Sequence, residues 1–319
     1  VLSLPLSILS PAGARGRLSI LIFHRVLPEA DPLAPDEPDV VRFEAQMQWV
    51  RQWFNVLPLG RAVDMLYEGT IPSRALAITF DDGYADNEML AAPILNRLGL
   101  SATFFISTGF LDGGCMWNDR VIEAIRGCPA DAIDLRHIGL DHYPLHAVDA
   151  RREAIASLLK AIKHLDSGPR ARAVDDIVAA AGVRGTPSLM MRPDQVRQLR
   201  AMGMEIGAHT ITHPILTRLE HDAARRELAD SKAYLQEILG ERVDLFAYPN
   251  GVPGQDYAAE HVEMARESGF KAAVSTAWGA ASARSHRYQL PRFTPWDRSR
   301  VRYGARLLDN LRRREQVVP

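Results

Sequence analysis

An α/β protein built on a parallel sheet is the fold class that the sequence predicts, and three observations predict it. Short uncharged runs rich in β-branched and aromatic residues recur, amphipathic stretches ended by glycine alternate with them, and polar residues follow directly on the carboxyl ends of the runs. Strand and helix in alternation give βαβ units, whose parallel sheet is either open and doubly wound or closed as a barrel. With 319 residues, of which 47% are hydrophobic and 24% charged, the chain can bury a large core. One large domain is therefore the expectation.

The first run, Leu18 to Phe23 (LSILIF), predicts a buried strand that delivers His24 and Arg25 at its carboxyl end. Pro28, Pro32, Pro35 and Pro38 forbid regular structure in the loop that follows. Phe43, Met47, Val50 and Phe54 recur at helical spacing, and a second helix is expected from Gly60 to Glu68. Ala75 to Phe80 is an uncharged strand, Asn87 to Leu98 a helix closed by Gly99, and Ala102 to Ser107 the next strand. Between about residues 112 and 200 the pattern turns mostly helical, which reads as an insertion. Strands resume at Met204 to Ala208, Leu245 to Tyr248 and Ala272 to Ser275. The helix before the second of these places Leu228, Leu235, Ile238 and Leu239 on one face and ends at Gly240.

The last segment, about residues 298 to 314, sets Arg298, Arg300, Arg302, Arg306, Arg312, Arg313 and Arg314 around Val301, Leu307, Leu308 and Leu311. Such a basic amphipathic helix can rest on an anionic bilayer, and peripheral membrane contact is one expectation. A terminal helix packed on the barrel with a solvated arginine face is the other.

Charge and cysteine usage narrow the function classes. The 38 basic and 39 acidic residues balance, which gives no electrostatic case for nucleic acid and suits a neutral partner such as a glycan. Cys115 and Cys128 form no CxxC pair and read as free thiols. Val1 to Leu9 is apolar but contains Pro5, lacks a basic flank and is too short for a membrane span. Secretion is not indicated on this reading, and a cytoplasmic location is expected.

The chemistry concentrates in two places. Asp81 and Asp82 follow directly on the strand ALAITF, and Gly83 permits a tight turn that can aim both carboxylates at one cavity, one to bind a metal and the other to act as base. On its own, an Asp-Asp-Gly stretch is equally a solvated turn. His209 and His213 follow the strand MEIGA, and imidazoles four residues apart can converge on one ion. No Glu follows the first His, so this is not the HExxH arrangement. Two imidazoles and one carboxylate make an open three-ligand set that leaves a position for water and substrate. Zn²⁺ is the default ion for such donors, with Co²⁺, Ni²⁺ or Fe²⁺ also admitted.

Thr79-Phe80-Asp81-Asp82-Gly83-Tyr84 and His209-Thr210-Ile211-Thr212-His213 resemble the first two motifs of the polysaccharide deacetylases, the NodB-homology family of carbohydrate esterases. The resemblance runs from about Leu18 to Trp296, outside the helical insertion. It implies a distorted, incomplete (β/α) barrel, a divalent metal held by Asp82, His209 and His213, and Asp81 as catalytic base. The implied substrate is an N-acetylated glycan or glycan precursor, deacetylated at its amide.

The later motifs depart from the family pattern. Where Arg-x-Pro-Tyr is usual, this chain has Ala247-Tyr248-Pro249-Asn250, so the arginine that braces the catalytic Asp in the family is missing there. The resemblance still gives the Asn250 amide the oxyanion role and makes Tyr248 a candidate substrate contact, an aromatic packed at the strand end being the alternative. Ser275-Thr276-Ala277-Trp278-Gly279 keeps a tryptophan, Trp278, as a substrate contact without its usual Asp. Leu290-Pro291-Arg292 has arginine where the family's acid histidine lies, which makes Arg292 a candidate contact for substrate or a carboxylate. With that acid missing, His24 is the expected proton donor, because the first and last strands of such a barrel lie close together, a structural histidine being the alternative. Two rivals remain at this stage: a metal-dependent amidase on a small non-glycan amide, and an inactive glycan-binding module.

Overall fold

Side-chain parity along the strands decides how this chain folds. In the computed structural model, residues 2–185, 187–294, 296–313 and 315–319 are described; Val1 and Arg314, the outer ends of two segments discussed above, lie outside them. The strands are β1 (Leu18–Phe23), β2 (Asn55–Val56), β3 (Ala75–Phe80), β4 (Thr103–Ile106), β5 (Ala132–Asp134), β6 (His142–Pro144), β7 (Glu205–Ala208), β8 (Leu245–Ala247) and β9 (Ala272–Val274). Seven of them form one parallel sheet in the order β1-β3-β4-β7-β8-β9, with β2 paired to β3.

The sheet curls into an incomplete barrel, and an extended segment spans its two edges. Ile22 donates its backbone N–H to the Phe293 carbonyl and Phe293 donates to the Ile20 carbonyl on β1, while Leu290 donates to Ala273 and accepts from Ser275 on the β9 side. The first and last strands, expected to lie near each other, are joined by residues 290–293.

On one face of the sheet, Leu18, Ile20, Ala75, Ala77, Phe105, Leu245, Ala247, Ala272 and Val274 form a fully buried cluster with α3 (Leu59–Tyr67). The alternate residues, such as Leu21, Ile78, Phe80, Phe104, Ile206 and Phe246, pack outward on a second cluster. Its helices include α2 (Val40–Trp53), α4 (Ala92–Arg97), α8 (Pro193–Ala201), α9 (His221–Leu239) and α10 (Ala259–Glu267). Gly207 sits on the inner parity, where a Cβ would lie 2.4 Å from the Phe105 ring. Glycine is therefore what lets that ring fill the barrel.

The boundaries differ from expectation in a few informative places. The helix expected from Asn87 to Leu98 begins as a π-turn over Asn87–Ala91 and becomes α-helical only at Ala92. Pro93 supplies no N–H, so the regular hydrogen-bond ladder cannot run through it. The chain divides into two compact units, the second made of Ala30–Pro35 and Gly113–Met190. The insertion thus ends before α8, whose Val196 and Leu199 belong to the barrel's outer core.

Within the second unit, α5 (Trp117–Gly127), α6 (Val148–Ile162) and α7 (Ser167–Ala181) pack around Val121, Ile125, Leu158 and Ile177, beside the antiparallel pair β5–β6. The proline-rich stretch enters it through Leu33, on that core, and Asp31, 2.6 Å from Arg126.

The basic C-terminal segment forms α11 (Arg300–Asn310), and it corrects the membrane expectation. Tyr303, Leu307 and Leu311 are buried in the protein's own core, Arg306 pairs with Asp297, and Arg313 pairs with Asp309 and covers the Trp278 ring. Of the apolar residues that a bilayer would need, Leu307 and Leu311 are already buried while Val301 stays exposed, and membrane contact is not supported. No described helix is long and apolar enough to cross a membrane.

Candidate active site

Parity carries the inner face of β3 forward from Ala75 and Ala77 to Thr79 and then to Asp81, just past the strand end. On β7 the same rule runs from Glu205 and Gly207 to His209. Both side chains therefore point into the carboxyl end of the barrel, where they are at most 2% exposed. Asp82 would point away on an extended chain. Instead it adopts φ +77°, a left-handed conformation uncommon for a residue with a Cβ, and so turns inward.

The described chain has five such non-glycine residues, and four are at this site: Asp82, Thr210, His213 and Asn250. Strain of this kind persists where the surroundings enforce it, and it clusters at functional sites.

Asp82, His209 and His213 each offer a ligand atom, and all three lie within 4.8 Å of one another. Asp82 Oδ1 is 3.4 Å from His209 Nε2 and 3.3 Å from His213 Nε2. His209 Nδ1 donates to the Ala247 carbonyl at 2.8 Å, which leaves Nε2 as the lone-pair atom facing the carboxylate. Burial lowers the His213 pKa to about 4, so its ring is neutral near pH 7. Asp82 Oδ1 is buried with no hydrogen-bond partner among the described residues. Two imidazole lone pairs and an unsatisfied carboxylate oxygen converging on one point repel each other unless a cation sits among them, so this donor set fits a divalent ion.

The loop that carries the two histidines is held from α9. The Glu227 carboxylate accepts from the backbone N–H groups of Ile211 (2.7 Å) and Thr212 (2.9 Å), and from the Thr212 hydroxyl (2.7 Å). Ser107 Oγ donates to the His209 carbonyl at 3.0 Å. Sequence reasoning passed over Glu227, because a lone glutamate on an amphipathic helix carries no motif.

Asp81 is gripped by Arg292. The guanidinium donates from both terminal nitrogens to both carboxylate oxygens at 2.6 and 2.7 Å, and bonds the Ser275 carbonyl and Thr79 hydroxyl as well. Burial alone would raise the Asp81 pKa; the Arg292 charge, aided by His209, outweighs it and holds the group below the usual carboxylate range. Arg292 is 0% exposed. Of the two contacts expected there, the carboxylate one is what the structure shows, and the substrate contact is corrected, since the buried guanidinium bonds Asp81, Thr79 and Ser275.

Tyr248 is corrected in the same way. It is fully buried, stacked on Tyr257 with ring centroids 4.0 Å apart, and its hydroxyl donates to the Tyr288 carbonyl at 3.0 Å. Asn250, two residues on, keeps a backbone N–H with no acceptor among the described residues, while its carbonyl accepts from Thr276 at 2.7 Å. Trp278 lines a cavity of about 400 Å³ with Val252, Pro253, Thr276 and Arg313.

His24 lines a second cavity, of about 410 Å³, on the other side of the aromatic pair Trp278 and Trp296, whose centroids are 5.2 Å apart. Burial alone would lower the His24 pKa, but Asp82, Asp81 and Glu37 together raise it above its ordinary value. The ring makes no hydrogen bond among the described residues, which leaves its proton available to a ligand.

Comparisons with known proteins agree with this geometry. A family model described as polysaccharide deacetylase matches residues 68–273. The Bacillus subtilis (strain 168) protein YxkH, whose name assigns it to polysaccharide deacetylases, is 23% identical over 278 residues, covering 86% of this chain and 70% of that protein. Among solved structures, the Streptococcus pyogenes deacetylase PplD in complex with acetate aligns with a TM-score of 0.62 at 19% identity, over 93% of this chain and 99% of that one. IcaB from Ammonifex degensii aligns with a TM-score of 0.60 at 18% identity, over 93% and 97% respectively. The solved structures share the barrel fold.

Proposed function

The chain belongs to the polysaccharide deacetylase family of hydrolases acting on carbon–nitrogen bonds, and from that premise we propose that it removes the N-acetyl group of an amino sugar in a polysaccharide or glycan precursor, using a divalent metal held by Asp82, His209 and His213. The observation that carries this reading is an ionised, arginine-braced Asp81 next to the three-ligand cluster, its Oδ2 lying 3.9 Å from His209 Nε2. A module that only bound glycan would need neither the spare carboxylate nor its buried brace.

Asp82, His209 and His213 would hold a divalent ion, by default Zn²⁺ for these donors, which would supply Lewis acidity to a water and to the acetamide carbonyl. Asp81 takes a proton from the attacking water. Each of its oxygens has a second lone pair beyond the one given to Arg292, so the brace does not block this role. The oxygen of that water adds to the acetamide carbon, and the negative charge that develops on the carbonyl oxygen meets the backbone N–H of Asn250. His24, from the end of β1, gives its proton to the nitrogen as the carbon–nitrogen bond breaks, releasing acetate and a free amine.

Metal content of the purified protein, measured together with acetate release from N-acetylhexosamine oligomers and from small cyclic amides, tests the proposal. Stoichiometric metal with turnover of the oligomers is expected. Turnover confined to the small amides would replace the glycan reading with the amidase one.

A further inference from the structure

An imidazole that works at a reacting centre is commonly oriented through its second ring nitrogen, as His209 is by the Ala247 carbonyl at 2.8 Å. The His24 ring makes no hydrogen bond among the described residues. What holds its backbone therefore decides where the ring points.

That backbone is held by the segment that follows the paired aspartates. Asn87 Nδ2 donates to the His24 carbonyl at 2.9 Å. Asp86 takes the next two residues, its Oδ2 accepting from Arg25 Nε at 2.8 Å and its Oδ1 from the Val26 backbone N–H at 3.3 Å. Asn87 Nδ2 also donates to Asp86 Oδ1 at 3.0 Å, which ties the two side chains together. The Arg25 guanidinium covers the Tyr84 ring, 4.8 Å from its centroid, and the Phe23 carbonyl accepts from the Asp81 N–H at 2.9 Å. Residues 23 to 26 are thus gripped, one after another, by the turn that begins at Asp81.

Core packing does not account for an asparagine at position 87. The residue is 0% exposed, and its Oδ1 is buried with no hydrogen-bond partner among the described residues. An unsatisfied buried acceptor costs stability that an apolar side chain of similar size would not. What the amide supplies in return is its donors, and both printed bonds of Nδ2 serve the His24 segment. Asn87 also opens the π-turn, closed by the Ala92 N–H on the Asn87 carbonyl, an irregularity that recurs at functional sites.

We infer that Asn87 and Asp86 are positioning residues that aim His24, so that one turn carries the base and holds the proton donor in place against it. The inference rests on the deacetylase reading and deepens it.

Its test is steady-state turnover of N-acetylglucosamine oligomers and of an activated aryl acetate, whose leaving group needs no proton. Asn87→Ala is expected to lower kcat on the amide by about 10–100-fold, the scale of a misplacement near 1 Å. KM, metal content and turnover of the aryl acetate should stay near the parent's. Asn87→Asp keeps the volume but turns an acceptor toward the His24 carbonyl, so its loss on the amide should be at least as large. Asp86→Asn reaches the same segment through Arg25 and Val26, and it should show the same selective loss even if neither Asn87 variant folds. In the His24→Ala background, Asn87→Ala should add nothing, because it acts through a ring that is no longer there. Additive losses in the double variant, equal losses on amide and ester, or parental amide turnover in the folded single variants would each overturn the inference while leaving the deacetylase reading intact. A parent chain that releases no acetate with metal bound would remove that reading, and the inference with it.

Discussion

Arg292 and Asp81, 211 residues apart in sequence, form a fully buried two-point ion pair at the carboxyl end of the barrel. The arginine comes from the extended segment between the two sheet edges, so the contact that keeps Asp81 ionised also ties the closure of the barrel to its catalytic end. In the polysaccharide deacetylase pattern the bracing arginine is expected where this chain has Ala247. Here the same charge reaches Asp81 from Arg292 instead.

Replacing Arg292 should accordingly cost stability and turnover together. Arg292→Met leaves a buried carboxylate without its partner, a loss of about 3–5 kcal/mol, measurable by denaturant unfolding. Arg292→Lys keeps the charge but not the two-point geometry, so it should recover part of the stability and less of kcat. A methionine variant as stable and as active as the parent would show that Asp81 does not depend on this contact.

Metal and base should separate experimentally. Asp82→Asn, His209→Ala and His213→Ala are each expected to lose metal in equilibrium dialysis, and activity with it. Asp81→Asn should retain metal and still lose turnover by about 10²–10⁴-fold. Chelation followed by dialysis should abolish activity, and added Zn²⁺ should restore it. Persistent full activity in the chelated protein would remove the metal from the reaction.

Much of this was legible in the sequence because it is local. Asp81 and Asp82 follow one strand and His209 and His213 another, and strand parity carries Asp81 and His209 inward without knowledge of the rest of the chain. Which of its two expected contacts Arg292 makes was not legible, because its partner is set by barrel closure, and residues 290–293 have none of the alternation that marks a strand. Tyr248 stayed open between cleft and core for a related reason. A strand-end aromatic looks the same in sequence whether it faces a cleft or, as here, stacks on Tyr257. The second unit's boundary was illegible because Ala30–Pro35 joins it from about eighty residues upstream, through Leu33 and Asp31.

Glu227 was invisible to motif reading, and it yields the next prediction. Its carboxylate holds two backbone N–H groups and a hydroxyl in the loop between the metal-site histidines. Glu227→Ala should leave the fold in place and weaken metal binding by about 10–100-fold, the usual effect of removing an outer partner of a ligand set. Glu227→Gln, which retains one acceptor oxygen, should fall between. Metal competition assays read the difference, and unchanged affinity in the alanine variant would mean the loop is held by its own backbone geometry.

His24 is the least conventional assignment, and leaving-group chemistry offers a clean test of it. An amine departs from a tetrahedral intermediate only when protonated, whereas a phenolate with an electron-withdrawing substituent departs unaided. If His24 is the proton donor, His24→Ala should lower kcat on N-acetylated oligomers by about 10²–10⁴-fold and leave hydrolysis of an activated aryl acetate far less affected. Metal content should stay at the parent level, since His24 is not among the three converging ligand groups. Equal losses on amide and ester would point instead to a binding or structural role. Near-parental turnover of the amide would mean that the proton comes from another group, and Asp81, having taken one from water, would be the first to consider.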